Sequence, residues 1–214
     1  MPHRFIPFVT GQFYHIYNRG SEKRIIFQSK RDYQRFLKTL EYYQLEGPKP
    51  KFSHFPNLVV QELDSSKKMV EIVAYCLMPN HFHLLVKQLR DNGITEFVSK
   101  FLNSYTRYFN TKHDRVGPLF QGMVKAVLIE TDDQLVHISR YIHLNPLTSF
   151  LVKDLAHYKW SSYQDYLDNH SSFCSTDEIL GHFKNPQDYQ QFILDQVSYA
   201  QEIEFIKHQI IDEV

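Results

Sequence analysis

The sequence predicts an α+β fold: a ferredoxin-like split β-α-β sheet with helices on one face, followed by a mainly helical C-terminal extension. Runs rich in aromatic and β-branched residues that alternate with period two indicate strands. Apolar residues spaced three and four apart indicate helices between those strands. The elements follow in the order β-α-β-β-α-β before a further helix, which is the split β-α-β arrangement. The 214 residues suit one domain with an extension or two small domains.

The first half of the chain supplies a strand and a helix. A strand beginning at Phe13 ends in a turn at Gly20. Ser29 is a good N-cap residue for a helix over about 30–45, which the Gly-Pro pair at 47–48 ends. The polar, proline-containing stretch at about 47–68 is predicted to be an insertion or a long loop.

Two strands and two helices are predicted next. The strands cover about 69–77 and about 81–87, are joined by a turn at 79–80 and are expected to pair. A helix over about 94–111 has an apolar face made of Phe97, Phe101, Tyr105 and Tyr108.

One more strand and helix complete the order. The fourth strand is predicted over 119–129. A third helix begins after Thr131 as N-cap and runs to about Asn145, where Pro146 is expected to end it. In the extension, residues 187–211 are expected to be helical.

The third strand carries His81 and His83 on either side of Phe82. Because side chains alternate along a strand, both imidazoles point to the same face. Two imidazoles in this arrangement either bind one divalent metal ion or are ordinary histidines at the start of a strand.

The third helix carries two residues that complete such a site. Tyr141 and Asn145 lie one turn apart on the same helical face, whereas His143 is turned by roughly 200° from Tyr141. The amide oxygen of Asn145 suits a hard ion such as Mg²⁺ or Mn²⁺ as a third ligand. The alternatives are a packed aromatic ring for Tyr141 and a helix C-cap for Asn145.

The zero formal charge hides an uneven distribution. Residues 151–214 contain four Lys, no Arg and eleven acidic residues, a net charge of −7, and residues 1–150 carry +7. A basic body fits a polyanionic partner such as nucleic acid, and it also fits an acidic tail that folds back and neutralises it. No apolar run is long enough to span a membrane and no signal peptide precedes the first strand, so a cytoplasmic protein is expected.

Several spaced motifs together resemble one family. They are Tyr-His-Ile-Tyr-Asn-Arg-Gly at 14–20, Ala74 to Val86, Tyr105 to Gly122, 125–130 and Arg-Tyr-Ile-His-Leu-Asn-Pro at 140–146, with Trp-Ser-Ser-Tyr at 160–163. In this order they are similar to the IS200-like single-tyrosine HUH transposases, in particular the REP-associated tyrosine transposase branch. One departure is Met123, which stands where relatives commonly have Arg.

The resemblance implies a function and a site. Residues 1–150 are then an HUH single-tyrosine transposase-like domain, and residues 151–214 an acidic, mainly helical extension. The resemblance makes Tyr141 the nucleophile and His81, His83 and Asn145 the ligands of Mg²⁺ or Mn²⁺. It further implies a bacterial, nucleoid-associated enzyme that cleaves and rejoins single-stranded or hairpin DNA through a 5′-phosphotyrosine intermediate. Insertion-sequence relatives act as dimers with the tyrosine supplied in trans, whereas the insertion and tail favour a monomer, so the oligomeric state stays open.

Basic side chains near the motifs are candidates for contacts with DNA phosphates. These candidates are Arg19, Arg24, Arg107, Lys112, Arg115 and Lys125. Tyr105 and Tyr108 either stack on unpaired bases or pack in the core. Two other functions remain open from the sequence, namely a binder of structured single-stranded DNA without cleavage and a water-using, metal-dependent nuclease.

Overall fold

A computed structural model describes residues 7–47, 52, 67–168 and 173–201. It contains four strands and six α-helices within these ranges. They are β1 (Phe13–Arg19), α1 (Lys30–Tyr43), β2 (Val70–Met78), β3 (His81–Gln88), α2 (Gly93–Lys112), β4 (Lys125–Ile129), α3 (Asp132–Thr148), α4 (Tyr163–Asp168), α5 (Asp177–Leu180) and α6 (Pro186–Leu194). Most of the predicted insertion at 47–68 lies outside the described residues.

The sheet has the strand order β2-β3-β1-β4, and every neighbouring pair is antiparallel. The predicted α+β class and the pairing of β2 with β3 are therefore confirmed. A bulge at Val73 places Val73 and Ala74 opposite Leu85, so both residues face the same side of the sheet.

Helices cover both faces of the sheet. Phe82 and Leu84 of β3 pack in a core with α1 and α2, through side chains such as Phe36 and Phe101. Leu85, on the other side of the same strand, belongs to a second core with α3 and the C-terminal helices. Helices were expected on one face of the sheet. α1 and α2 do share one face, but α3 and the C-terminal helices cover the other face. Alternation along β2 and β3 leaves apolar side chains on both faces, and each apolar face must be covered.

Two predicted helix starts are confirmed by capping contacts. At the start of α1, the backbone N–H of Ser29 donates to the Asp32 carboxylate at 2.9 Å, which is part of a capping box. At the start of α3, the Thr131 hydroxyl accepts from the backbone N–H of Gln134 at 3.2 Å.

The prediction that Pro146 ends the third helix is wrong, because α3 continues to Thr148. Proline removes one backbone donor, but the Ser149 N–H still reaches the carbonyl of Asn145 at 3.0 Å. Leu147, beyond the proline, is buried in the second core. Packing of this last turn offsets the single missing hydrogen bond.

The fourth strand is shorter than the predicted range of 119–129. Leu119 and Phe120 are buried in the first core, and Phe120 makes only an isolated bridge to Gly20. Gly122 has a φ of +61°, which turns the chain before β4 begins at Lys125.

The extension packs on the sheet. Backbone N–H groups of Leu77 and Ser162 bond to carbonyls of Trp160 and Tyr75 respectively, at 2.9 and 3.0 Å, so the Trp-Ser-Ser-Tyr turn lines β2. The helix predicted over 187–211 is found as α6, with a turn at 195–196 and helical residues at 197–201, and its remainder lies outside the described residues. No helix in the described ranges combines the length and apolarity needed to cross a membrane.

Candidate functional site

The site lies on the sheet face that α3 covers. The register pairs His83 with Tyr17 of β1 and His81 with Arg19. Tyr14 and Ile16 of β1 point into the first core, so the alternate residues Tyr17 and Arg19 lie on the face that carries both histidines. The prediction that His81 and His83 share a face is thereby confirmed.

Tyr141 projects from α3 over this face. Its ring centroid lies 5.4 Å from that of His83, in an edge-on arrangement, and its side chain is 49% exposed. An aromatic residue that only fills a core is buried, whereas Tyr141 is open to an incoming molecule. The structure therefore brings the predicted nucleophile next to one of the predicted metal ligands within one chain.

His15 is a member of the site that the sequence did not assign. Its Nε2 lies 2.9 Å from Nδ1 of His83, and its ring centroid is 5.9 Å from that of Tyr141. The position of His15 in period two with Tyr17 indicated the same face. Its contact with His83 depends on strand register, which motif spacing does not reveal.

Burial keeps the central histidines neutral. It lowers the pKa of His15 from 6.5 to about 4. Burial, and after it the charges that His81 and His15 would carry, lower the pKa of His83 well below its ordinary value. A neutral imidazole has a lone pair, which is the form that binds a metal ion.

Each of the two histidines has a close partner on its Nδ1 atom. Nδ1 of His81 is 2.6 Å from Oδ1 of Asn80, and Nδ1 of His83 pairs with His15. When both Nδ1 atoms carry the proton, each Nε2 keeps its lone pair for a metal ion. Ligating histidines commonly have such a partner on the second ring nitrogen.

Asn145 is suitably bonded to supply an oxygen. Its Nδ2 donates to the backbone carbonyl of Tyr141 at 2.7 Å, which leaves the amide Oδ1 as the group still able to bind a ligand. The residue is 8% exposed. An amide oxygen suits a hard ion such as Mg²⁺ or Mn²⁺. The described residues contain no cluster of three or more His, Cys, Asp or Glu able to hold a metal ion.

His143 has a different role from its neighbours on α3. It is completely buried, with Nδ1 2.7 Å from the Tyr189 hydroxyl and Nε2 2.8 Å from Oγ of Ser162. The expectation that it does not share the site of Tyr141 is confirmed, and it instead joins α3 to the extension.

Two of the six proposed DNA contacts lie on the site face. Arg19 is exposed beside His81 and donates from Nε to the side-chain oxygen of Gln121. Lys125 pairs with Tyr17, and its Nζ lies 5.9 Å from the centre of that ring. Both cations therefore lie on the same face of the sheet as His81 and His83.

The other four have partners or positions outside the group formed by His81, His83 and Tyr141. Arg24 bonds to the backbone carbonyl of Ser21 and to Glu22, and Arg115 bonds to Asn110. Lys112 forms an ion pair of 2.6 Å with Asp32 at the start of α1. Arg107 is exposed on α2, on the side of the sheet away from Tyr141.

The two tyrosines of α2, which were expected either to stack on bases or to pack in the core, differ in their surroundings. Tyr105 is fully buried and donates to the carbonyl of Ile26, so it is a core residue. Tyr108 is half-buried, and its hydroxyl donates to the Asp32 carboxylate at 3.0 Å.

Part of the chain is similar to a known protein family. Residues 53–145 match the family model described as "Transposase IS200 like". The matched stretch contains His81, His83, Tyr141 and Asn145. None of the curated proteins matches the chain.

A solved structure extends the likeness beyond that stretch. It is described as "Structure of the REP associates tyrosine transposase bound to a REP hairpin". The similarity has a TM-score of 0.53 at 15% sequence identity and covers 78% of this chain and 86% of the other. The resemblance inferred from the sequence motifs is confirmed, and at this identity the structural likeness establishes the fold.

Proposed function

We propose that this protein is a metal-dependent transposase that cleaves and rejoins single-stranded DNA, with Tyr141 as the nucleophile. One observation carries the proposal: a half-exposed tyrosine lies 5.4 Å, ring centre to ring centre, from a buried histidine in the same chain. The match of residues 53–145 to the IS200-like family supports the transposase class.

The chemistry follows from the nature of the nucleophile. The Tyr141 oxygen attacks a backbone phosphorus, the phenol loses its proton, and the bond from phosphorus to the 3′ oxygen breaks. A 5′-phosphotyrosine forms, and the departing strand takes up a proton as a free 3′-OH. Attack by a 3′-OH on the same linkage reverses the step and joins strands, because the covalent intermediate conserves the bond.

The surrounding residues position the reaction. Arg19 and Lys125 contact phosphates of the strand, since cations on this face offset the strand's charge. His15 fixes the ring of His83 by its 2.9 Å contact. His81, His83 and Asn145 would hold the metal ion, which supplies electrostatic stabilisation of negative charge that develops on the phosphate oxygens.

We further propose hairpin DNA as the substrate and attack within one chain. The similar solved transposase is bound to a REP hairpin, which supports a hairpin partner for this chain. Attack within one chain is supported by the position of Tyr141 over its own sheet, where α3 packs in the second core.

A denaturing gel with end-labelled single-stranded hairpins tests the function. In the presence of Mn²⁺ or Mg²⁺, a labelled band should migrate with the protein. Tyr141→Phe and EDTA should each abolish this band. Tyr199→Phe is a matched control, because Tyr199 is 62% exposed and lies outside the site.

Two results would contradict the proposal. Cleaved DNA that lacks a protein-linked band and is unchanged by Tyr141→Phe would indicate a water-using nuclease. Tight binding of hairpins without cleavage across a broad library would indicate a binding protein.

A further inference from the structure

A wide groove runs between α1 and α2, on the side of the sheet opposite Tyr141. Its volume is about 1090 Å³. On α1, residues 31, 35 and 38 follow the helical repeat and project along one wall, and residues 100, 103 and 107 of α2 do the same on the other. The basic side chains of the lining are Arg31, Arg35, Lys38, Lys100, Arg107 and Lys112.

The charge of this groove is strongly one-sided. No Asp or Glu is among its lining residues in the described part of the chain. Lys100 is paired with Glu96 and Lys112 with Asp32. Arg31, Lys38 and Arg107 make no ion pair with any residue in the described part of the chain. Lys38 does lie near the carboxylate of Glu41, whose pKa it lowers, against the larger effect of burial. The basic residues outnumber these carboxylates, and a polyanion relieves the repulsion among the cations.

Aromatic rings lie among these cations. The Arg35 guanidinium carbon is 4.2 Å from the ring centre of Phe52 and 5.3 Å from that of Tyr108. Its buried Nε has no hydrogen-bond partner among the described residues. Small polar side chains of α2, such as Asn103 and Ser104, line the same wall. Cations interleaved with aromatic rings and hydrogen-bonding groups are typical of surfaces that bind single-stranded nucleic acid.

One end of the groove lies near the start of α1, and the segment just before α1 contacts the turn that leads into β3. Lys112 reaches the Oγ of Ser29 at the start of α1, at 2.8 Å. The N–H of Ile26, just before that helix, bonds to the carbonyl of Pro79 at 2.8 Å. Pro79 is two residues before His81, the first residue of β3. The end of the groove at Lys112 is therefore linked, through the segment before α1, to the turn that precedes His81.

We propose that the groove between α1 and α2 binds the sugar-phosphate backbone of single-stranded DNA that continues beyond the segment held at Tyr141. This inference rests on the proposed function, because it supposes that the protein acts on single-stranded DNA. Arg31, Lys38 and Arg107 contact phosphates, and the Arg35–Tyr108 pair offers a surface for a base.

Binding of a fluorescent single strand by the full chain tests the groove. The probe is a mixed-sequence oligonucleotide of about 30 nucleotides, longer than the segment that one fold of this size covers. Fluorescence anisotropy is measured in EDTA over a series of salt concentrations. The variant is Arg31→Ala with Lys38→Ala. The matched control is Lys153→Ala with Lys184→Ala, which removes two exposed positive charges from the extension.

The expected result is a change in both affinity and salt dependence. Because the variant removes two cations that each bind a phosphate, the slope of log K against log salt should become shallower by about 1.4, and affinity at low salt should fall about tenfold. The control should keep the wild-type slope and affinity.

Two outcomes would overturn the inference. An unchanged slope in the groove variant would show that the groove does not contact phosphates. Competition by polyglutamate as effective as by the oligonucleotide, abolished in the same variant, would assign the groove to an acidic peptide. The proposed function is tested by a different result. It would fail if the wild-type protein formed no Tyr141 adduct with DNA, regardless of the slopes measured against salt.

Discussion

The buried histidine of α3 allows a direct test of what holds this helix in place. His143 has no exposed surface, and its two ring nitrogens contact Tyr189 and Ser162 at 2.7 and 2.8 Å. His143→Ala removes both hydrogen bonds, at about 1 kcal/mol each. It also leaves an unfilled space where the ring stood, for about 2 kcal/mol more. The expected loss in the free energy of unfolding is therefore about 4 kcal/mol.

His143→Phe separates the two contributions. A phenyl ring fills most of the space, so only the effect of the missing hydrogen bonds remains and the expected loss is about 2 kcal/mol. Both hydroxyls keep another partner, because Tyr189 also contacts Ser139 at 3.2 Å and Ser162 accepts from the N–H of Tyr75 at 2.9 Å. The cost of leaving a hydroxyl wholly unsatisfied is thus avoided.

Urea unfolding followed by circular dichroism measures these differences, and His182→Ala is the control. His182 is exposed on the same extension, so its loss should change stability by less than about 0.5 kcal/mol. A loss below about 1 kcal/mol for His143→Ala would refute the reasoning, since it would mean that neither bonds nor packing hold α3 here. Equal losses for the Ala and Phe variants would refute the assigned share of packing.

Three further results are expected. His15→Phe should weaken Mn²⁺ binding about tenfold to a hundredfold by calorimetry, because His83 loses the partner that orients it, and unchanged affinity would exclude that role. A mixture of Tyr141→Phe with a His81→Ala, His83→Ala double variant should form no DNA adduct, because the tyrosine serves its own sheet; recovered adduct would mean attack between chains. Burial raises the pKa of Asp32. Hydrogen bonds from Lys112 and two hydroxyls lower this pKa by more than burial raises it, so the net value lies below the ordinary 3.8. Its stabilisation is therefore present above about pH 4 and lost as pH falls through the depressed pKa. Asp32→Asn should reduce stability at pH 7 by about 3 kcal/mol and flatten the acid limb of the pH profile, and an acid limb as steep as that of the wild type would contradict this.

The parts of the fold governed by local rules could be predicted from the sequence. Periodicity placed all four strands and the first three helices, because apolar spacing follows directly from strand and helix geometry. The shared face of His81 and His83 follows from the same geometry. Ser29 and Thr131 were recognisable as N-caps because their contacts are local.

Long-range contacts could not be predicted in this way. The pairing of His15 with His83 joins residues 68 positions apart and depends on register. The second covered face depends on where α3 and the extension pack, which local periodicity does not report. Pro146 is a similar case, since burial of Leu147 outweighed a correct local rule about proline.

The bonds between β2 and the turn at 160–162 bear on the order in which contacts form while the protein is being synthesised. Tyr75 and Ser162 are 87 residues apart, and Tyr189 lies 46 residues beyond His143. Contacts between such distant segments form late, because the intervening chain must first be made and its loop closed. When synthesis has just passed the end of α3, every residue proposed for DNA cleavage has already been made. Because the bonds of His143 to Ser162 and Tyr189 need residues of the extension, α3 gains them only after those residues have been synthesised.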